Sequence, residues 1–332
     1  MNNNVEPQAK SRQEAGEKFK EWLIIKGYTG KTVETVIKAV AYFLSWAEKE
    51  NLPTGQAGIT GITETGHNDI IAYIQHYNLR GTGKKTIAHY ILHLKKYFDW
   101  LISEGEINDN PCSNIKIKGI QRKVLHEILS IEELEKLYNN YSTEITLQKS
   151  ETLKSPPPQQ VQNLARRRNK VILGLFIYQG LRTEEIIKLQ IIDVKLREGK
   201  IFIPGARRSN ERTLKLESQQ VFDLLDYIND TRKQILHYRS ITQPNQELFL
   251  NLGESTRKNN LFGMLLTHLK NMNGKIKTLE QLRASVIVQW LKLYNLRKVQ
   301  IMAGHRYISS TESYKANNLD DLKEDILKYH PF

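Results

Sequence analysis

The chain has 332 residues, 39% of them apolar and 26% charged, which is enough for two domains with real hydrophobic cores. No apolar run reaches membrane-spanning length, and with Cys112 as the single cysteine neither an intrachain disulfide nor a cysteine-based zinc site can form. Forty-nine Lys and Arg against 36 Asp and Glu leave a formal charge of +13, which favours a polyanion, nucleic acid first, as partner. The polar start MNNNVEPQAKSRQEAGEK lacks the apolar stretch of a signal peptide, so the expected location is cytoplasmic, with no membrane partner.

Residues 1–13 read as a disordered tail, and 14–105 as a compact helical unit. Ala15, Phe19, Trp22 and Leu23 form one helical stripe, closed by the turn-like GYTGK. Val33, Val36, Ile37, Val40, Phe43, Leu44 and Ala47 form a second. NDIIAYIQHY is a short third helix, and a fourth, from about Lys85 to Ser103, buries Ile87, Ile91, Leu94, Phe98 and Leu101. Its other side carries His89, His93 and Lys96, with Lys84 and Lys85 at its start. The His-x-x-x-His spacing can bind metal, but no carboxylate or cysteine is placed to complete a site, so the face reads as solvated or phosphate-facing.

Residues 106–128 read as an extended basic linker. Asn110-Pro111 stops the helical unit, and Lys116, Lys118, Arg122 and Lys123 have few acids nearby. A second domain, 129–332, opens on LSIEELEKLY, where Ser130 with Glu133 three positions on makes a capping-box pattern. Residues 142–165, with Pro156, Pro157 and Pro158, read as an insertion or loop, and RRRNKVILGLFIYQG as a buried helix. KIFIP and RTLKLE flank the turn-like GARRSN and predict a hairpin. SQQVFDLLDYINDTRKQILHY is amphipathic, and ASVIVQWLKLY is a strongly apolar helix. The fold class is therefore mainly α with a small antiparallel sheet, an α+β second domain behind a helical first one.

Four clusters in the second domain can carry chemistry: GLRTEEIIKL, GARRSNER, EQLRAS and AGHRYISSTESYK. Arg182 sits where one helix ends at Gly180 and another begins. Arg283 starts the apolar helix, beside Val286 and Ile287, and an arginine so placed needs an anionic partner because a lone buried charge is costly. Glu184 or Glu185 can be that partner; so can a substrate. His305 and Tyr314 stand nine residues apart, with Ser309, Ser310 and Thr311 between them as expected caps of a short helix presenting the tyrosine.

These residues carry a resemblance. YQGLRTEEIIKLQIIDV resembles the Thr-Gly-Leu-Arg-x-Ser-Glu-Leu box of the tyrosine recombinases, the phage integrase and Xer family. MAGHRYISSTESY resembles that family's Leu-Gly-His-x-x-x-x-Thr-Thr-x-x-Tyr box, and EQLRAS falls at its His-x-x-Arg box. The resemblance spans about residues 14–330 and implies a SAM-like helical core-binding domain ahead of the catalytic domain. It also implies site-specific cleavage and rejoining of double-stranded DNA by a tetramer on two paired sites, with the two domains clamping the duplex.

In that chemistry Tyr314 attacks the phosphorus and forms a 3′-phosphotyrosyl link, Arg182 and Arg283 fork onto non-bridging oxygens, and His305 donates to the phosphate or helps deprotonate the tyrosine. The ester conserves the bond energy, so no cofactor or metal is expected. Lys84, Lys85, His89, His93, Lys96 and the basic linker residues become candidate DNA contacts. Two positions depart from the pattern: the hairpin lysine aligns with Ala206, and the first histidine of His-x-x-Arg is Glu280. The general acid is left among Lys200, Arg207 and Arg208, of which the arginines are poor proton donors, with Glu280 also in the frame. A catalytically degenerate DNA-binding descendant is the alternative; a type IB topoisomerase shares the chemistry but not the helical N-terminal domain. The tail after Tyr314, with Leu319, Leu322 and Ile326, docks on a neighbouring protomer or packs on its own domain.

Overall fold

Apolar residues spaced three and four apart build nearly every element of this chain. The computed structural model describes residues 5–50, 65–120, 127–144, 158–206, 209–253 and 260–315, and the chain divides into two units, Met1–Val124 and Leu125–Phe332. The first is four helices: α1 (Val5–Ile25), α2 (Gly30–Lys49), α3 (His67–Leu79) and α4 (Lys84–Ser103). Phe19 and Leu23 of α1, Val36, Val40 and Phe43 of α2, Ile70 and Tyr73 of α3, and Ile87, Leu94 and Phe98 of α4 form its core. Ala15, Trp22, Ile37 and Leu44 are half-buried at its rim.

Two expectations need correcting in this unit. Residues 5–13 do not stand apart as a tail, because α1 begins at Val5. Good helix formers fill the stretch, and its proline falls in the first turn, where no intrahelical N–H is needed. Nor is 106–120 a free linker. Ile107, Cys112, Ile115 and Ile117 pack against the helical core. Asn110 pins the turn, donating to Lys95 O (2.9 Å) and Asp99 Oδ1 (2.6 Å) while accepting from the Cys112 N–H (2.8 Å). From Cys112 on, apolar residues at every second or third position give the segment something to bury.

The second unit holds α5 (Ile131–Asn139), α6 (Gln159–Ile177), α7 (Thr183–Lys188), α8 (Ser218–Asp226), α9 (Arg232–Tyr238), α10 (Asn260–Met272), α11 (Leu279–Leu293), α12 (Leu296–Ala303) and α13 (Ile308–Glu312). α5 is capped as its sequence predicts: Ser130 Oγ accepts from Glu133 N (3.2 Å) and Glu133 Oε2 from Ser130 N (2.9 Å). α6 starts seven residues earlier than its basic run suggests. Val161, Leu164 and Ala165 are buried at helical spacing, so 159–165 belong to the helix and not to a loop; residues 145–157 lie outside the described residues. α8 and α9 join through a π-helical turn at Tyr227–Thr231. α10, with Leu261, Leu265 and Leu269 buried, is a helix the sequence reading leaves unplaced.

The hairpin forms as predicted, from β2 (Lys200–Ile203) and β3 (Arg212–Lys215), antiparallel with Ile203 opposite Arg212. A two-residue strand, β1 (Val194–Lys195), adds to it in the order β1-β2-β3; two residues are too short for any alternation to announce. α6 from Val171 to Ile177 and α11 from Gln281 to Val288 are buried at every residue, and Ser285 Oγ of α11 accepts the Leu129 N–H (3.0 Å) ahead of α5. Around this core the α6–α7 turn, the hairpin tip, the start of α11 and the α12–α13 corner converge.

Candidate active site

Two glycines make that convergence possible. Gly180 ends the α6 turn at φ +56, and a Cβ there would sit 3.2 Å from Val286 Cγ1 of α11. Gly304 caps α12 at φ +67, the left-handed conformation that glycine adopts without strain, and a Cβ would lie 2.8 Å from Arg212 Cζ. The first turn delivers Arg182 and the second delivers His305.

Arg182 stands at the N-cap of α7, with its backbone N–H held by Glu185 Oε2 (2.9 Å). Glu185, 2% exposed, is the carboxylate partner that the sequence left open between two residues; Glu184 is exposed. Its principal partner is Arg212, the first residue of β3, in a buried fork of 2.9 and 3.0 Å. Arg283 Nη1 lies 3.8 Å from the same carboxylate. Burial alone would raise the Glu185 carboxyl, but the Arg212 hydrogen bonds and charge, with Arg283 behind them, bring it down to about 2.

Arg283 is almost wholly committed to the protein. Nη1 donates to Gly180 O, and Nη2 donates to Ala303 O (2.8 Å) and to His305 Nε2 (3.1 Å). Its Nε is buried with no hydrogen-bond partner among the described residues. Burial, with Arg182 nearby, lowers this guanidinium to about 10. His305, 2% exposed, meets Arg283 through Nε2 and Thr311 Oγ1 through Nδ1 (2.9 Å). Burial first, then Arg283, Arg182 and Arg212, push the imidazole down to about 3, so it is neutral. Tyr314 stacks on it, ring centroids 5.6 Å apart and planes 13° from parallel.

Arg182, Arg283 and Tyr314 line one cleft of about 520 Å³, together with Glu280, Arg306 and Ser310. Two guanidinia beside a phenol are suited to holding a tetrahedral anion and offering it a nucleophile. Glu280 is exposed in that cleft. Lys200 is not brought there: it pairs with Lys215 at the open end of the hairpin, and its Nζ lies 3.5 Å from Glu198. At the tip, Ala206 and Ser209 exchange backbone hydrogen bonds (2.8 and 3.1 Å), Ser209 bridges to His305, and Asn210 N donates to Gly304 O (3.0 Å). Arg207 and Arg208 lie outside the described residues.

Ser309, Ser310 and Thr311 are inside α13 rather than capping it; Tyr307 holds the N-cap position. Sequence reasoning also missed Arg212 and Arg306, and took Thr311 for a helix cap and not for the partner of His305. Arg306 follows His305 directly and Thr311 falls on the Thr-Thr-x-x-Tyr part of the box, so both were readable; no local pattern marks Arg212.

Of the candidate DNA contacts, Lys84, Lys85, His89, Lys116 and Lys118 are exposed. His93 is half-buried and lowered by burial, Lys96 and His89, and Lys96 Nζ sits 4.9 Å from the centre of the Tyr28 ring. Arg122, Lys123 and the tail with Leu319, Leu322 and Ile326 lie outside the described residues. Among the described residues no cluster of three or more His, Cys, Asp or Glu is arranged to hold a metal, and no helix is long and apolar enough to cross a membrane.

Several known proteins resemble this chain over most of its length. Residues 146–320 match the family model described as the phage integrase family. The tyrosine recombinase XerD of Listeria innocua is 25% identical over 317 residues, covering 94% of this chain and 97% of that protein. Among solved structures, the XerH site-specific recombinase bound to a palindromic difH substrate, a post-cleavage complex, aligns with TM-score 0.62 at 19% identity over 89% of this chain and 78% of that one. The Tn1549 transposon integrase in complex with transposon right-end DNA aligns with TM-score 0.58 at 14% identity over 95% and 98%.

Proposed function

We propose a function from the premise that the chain belongs to the phage integrase family: it is a tyrosine-type site-specific recombinase, an enzyme that breaks and rejoins DNA strands. The observation that carries the assignment of residues is the single cleft shared by Arg182, Arg283 and Tyr314, with neutral His305 stacked beneath the phenol. In this reading the scissile phosphate enters the cleft, Arg182 and Arg283 stabilise its developing charge, and Tyr314 attacks to give a 3′-phosphotyrosyl ester and a free 5′-hydroxyl. A 5′-hydroxyl from a partner strand reverses the step. Exposed Lys84, Lys85, His89, Lys116 and Lys118 of the first unit contact the duplex backbone, and four protomers act on two paired sites. The biological role is integration and excision of a mobile element, or resolution of dimers.

A second reading, a DNA-binding descendant without cleavage activity, is favoured by Ala206 at the hairpin tip and by Glu280 in the cleft. One assay separates the two. The chain is incubated with a nicked duplex carrying its site, obtained by selection from random-sequence DNA, and protein–DNA adduct is followed on a denaturing gel. The recombinase reading expects an SDS-resistant adduct that Tyr314→Phe abolishes. No adduct from the wild type on its selected site sinks that reading; an adduct from Tyr314→Phe moves the nucleophile elsewhere.

A further inference from the structure

Arginine has no hydrogen-bond acceptor, so the His305 Nε2 facing Arg283 Nη2 at 3.1 Å must be the ring nitrogen that carries the lone pair. The proton of the neutral imidazole is therefore on Nδ1, donated to Thr311 Oγ1 at 2.9 Å. This tautomer cannot hydrogen-bond a phosphate oxygen through Nε2, because both would be acceptors. Arg283 meets a related obstacle: Nη2 spends both of its hydrogens on Ala303 O and His305, and Nη1 gives one to Gly180 O with the Glu185 carboxylate 3.8 Å away. Relief of both obstacles lies at one contact, the one between Arg283 Nη2 and His305 Nε2.

We propose that a phosphate oxygen enters between Arg283 Nη2 and His305 Nε2, and that Thr311 is the positioning residue that lets His305 change tautomer when it does. The Thr311 hydroxyl is both donor and acceptor. In the DNA-free chain it accepts from Nδ1–H. With phosphate in place it rotates and donates to a bare Nδ1, while Nε2–H and Arg283 Nη2–H both point at phosphate oxygens. One proton leaves Nδ1 for solvent and one reaches Nε2 from solvent, so the ring stays neutral and no net proton is taken up. Burial at Thr311 (0% exposed) and His305 (2% exposed) makes the hydroxyl necessary, since a bare Nδ1 there would otherwise have no partner. In the DNA-free chain burial first, then Arg283, Arg182 and Arg212 against the carboxylate of Glu185, hold the ring neutral.

The inference rests on the recombinase reading, and its tests are separable from that reading. Histidine-labelled ¹⁵N spectra of the full chain carrying Tyr314→Phe, with His305 assigned by loss of its signals in His305→Gln, are recorded free and bound to the selected site. The expected result is a protonated Nδ1 in the free chain and a protonated Nε2 in the complex. An unchanged tautomer, or an imidazolium in the complex, overturns the inference even if the wild type forms adduct normally. In the adduct assay, Thr311→Val binds the site within about twofold of wild type but forms adduct about ten- to a hundredfold more slowly, while Thr311→Ser recovers to within about threefold. Equal losses in the two variants, or no loss in Thr311→Val, count against it. The spectra use native Thr311, so they decide the matter if Thr311→Val fails to fold.

Discussion

His305 stabilises the fold only while it is neutral, and that has a measurable pH signature. Its folded value of about 3 lies below the ordinary 6.5, so between these two the unfolded chain binds a proton that the folded chain refuses. Stability from this group is complete above about pH 6.5 and is lost as pH falls through the window, at most about 1.4 kcal/mol per pH unit. Glu185, held at about 2 against an ordinary 4.5, adds its own loss lower down, as pH falls below its ordinary value. Thermal melts of wild type and His305→Gln between about pH 7 and pH 5 isolate the histidine. The variant's melting temperature should fall less steeply with acid; parallel curves would place the burial of His305 in doubt. At this scale the sequence was partly legible. Arg182, Arg283, His305 and Tyr314 stand out from their boxes, but the Glu185–Arg212 fork joins residues 27 apart on α7 and β3 that no local period relates, and the His305–Thr311 bond exists only once the chain turns from α12 into α13.

Helices of this chain were the legible elements, because Val36–Val40–Phe43 or Ile87–Ile91–Leu94 write burial directly at helical spacing. Where helices ended was less legible: polar stretches such as 5–13 and 159–165 read as tail and loop, though nothing in them breaks a helix beyond its first turn. The hairpin was found from its two β-rich runs, but its job was not. Arg212 at the base of the tip donates through Nε to Met302 O (2.7 Å) and forks onto Glu185, so one side chain joins β3, α7 and the end of α12. Removing one partner of a buried ion pair costs about 3–5 kcal/mol, because the other charge is left uncompensated. Arg212→Met should therefore lower hydrogen-exchange protection of the α7 and α12 amides by about 3 kcal/mol, with Arg283 supplying the remainder of the compensation. Amides of α1–α4 should be unaffected. Protection unchanged in α7 and α12 would mean that the fork does not tie those elements together.

At the scale of the whole molecule the positive charge is shared. Met1–Val124 carries 17 Lys and Arg against 13 Asp and Glu, a balance of +4, and Leu125–Phe332 carries 32 against 23, a balance of +9. Part of the second unit's excess is spent internally, as Arg212 and Arg283 on Glu185 illustrate, whereas Lys84, Lys85, Lys116 and Lys118 are exposed. A smaller net charge on the first unit can thus supply as many phosphate contacts as a larger one on the second. Each lysine–phosphate contact releases condensed counterions and adds about 0.9 to the slope of log affinity against log salt. Replacing Lys84 and Lys85 together by Gln should reduce that slope by about 1.8, and replacing Lys116 and Lys118 should do the same. Because none of these lysines lines the cleft, adduct formation by pre-bound protein should be unchanged in both double variants. Binding titrations on the selected site at several salt concentrations measure the slope. A slope that stays at the wild-type value in both variants would remove these four lysines from the DNA contact.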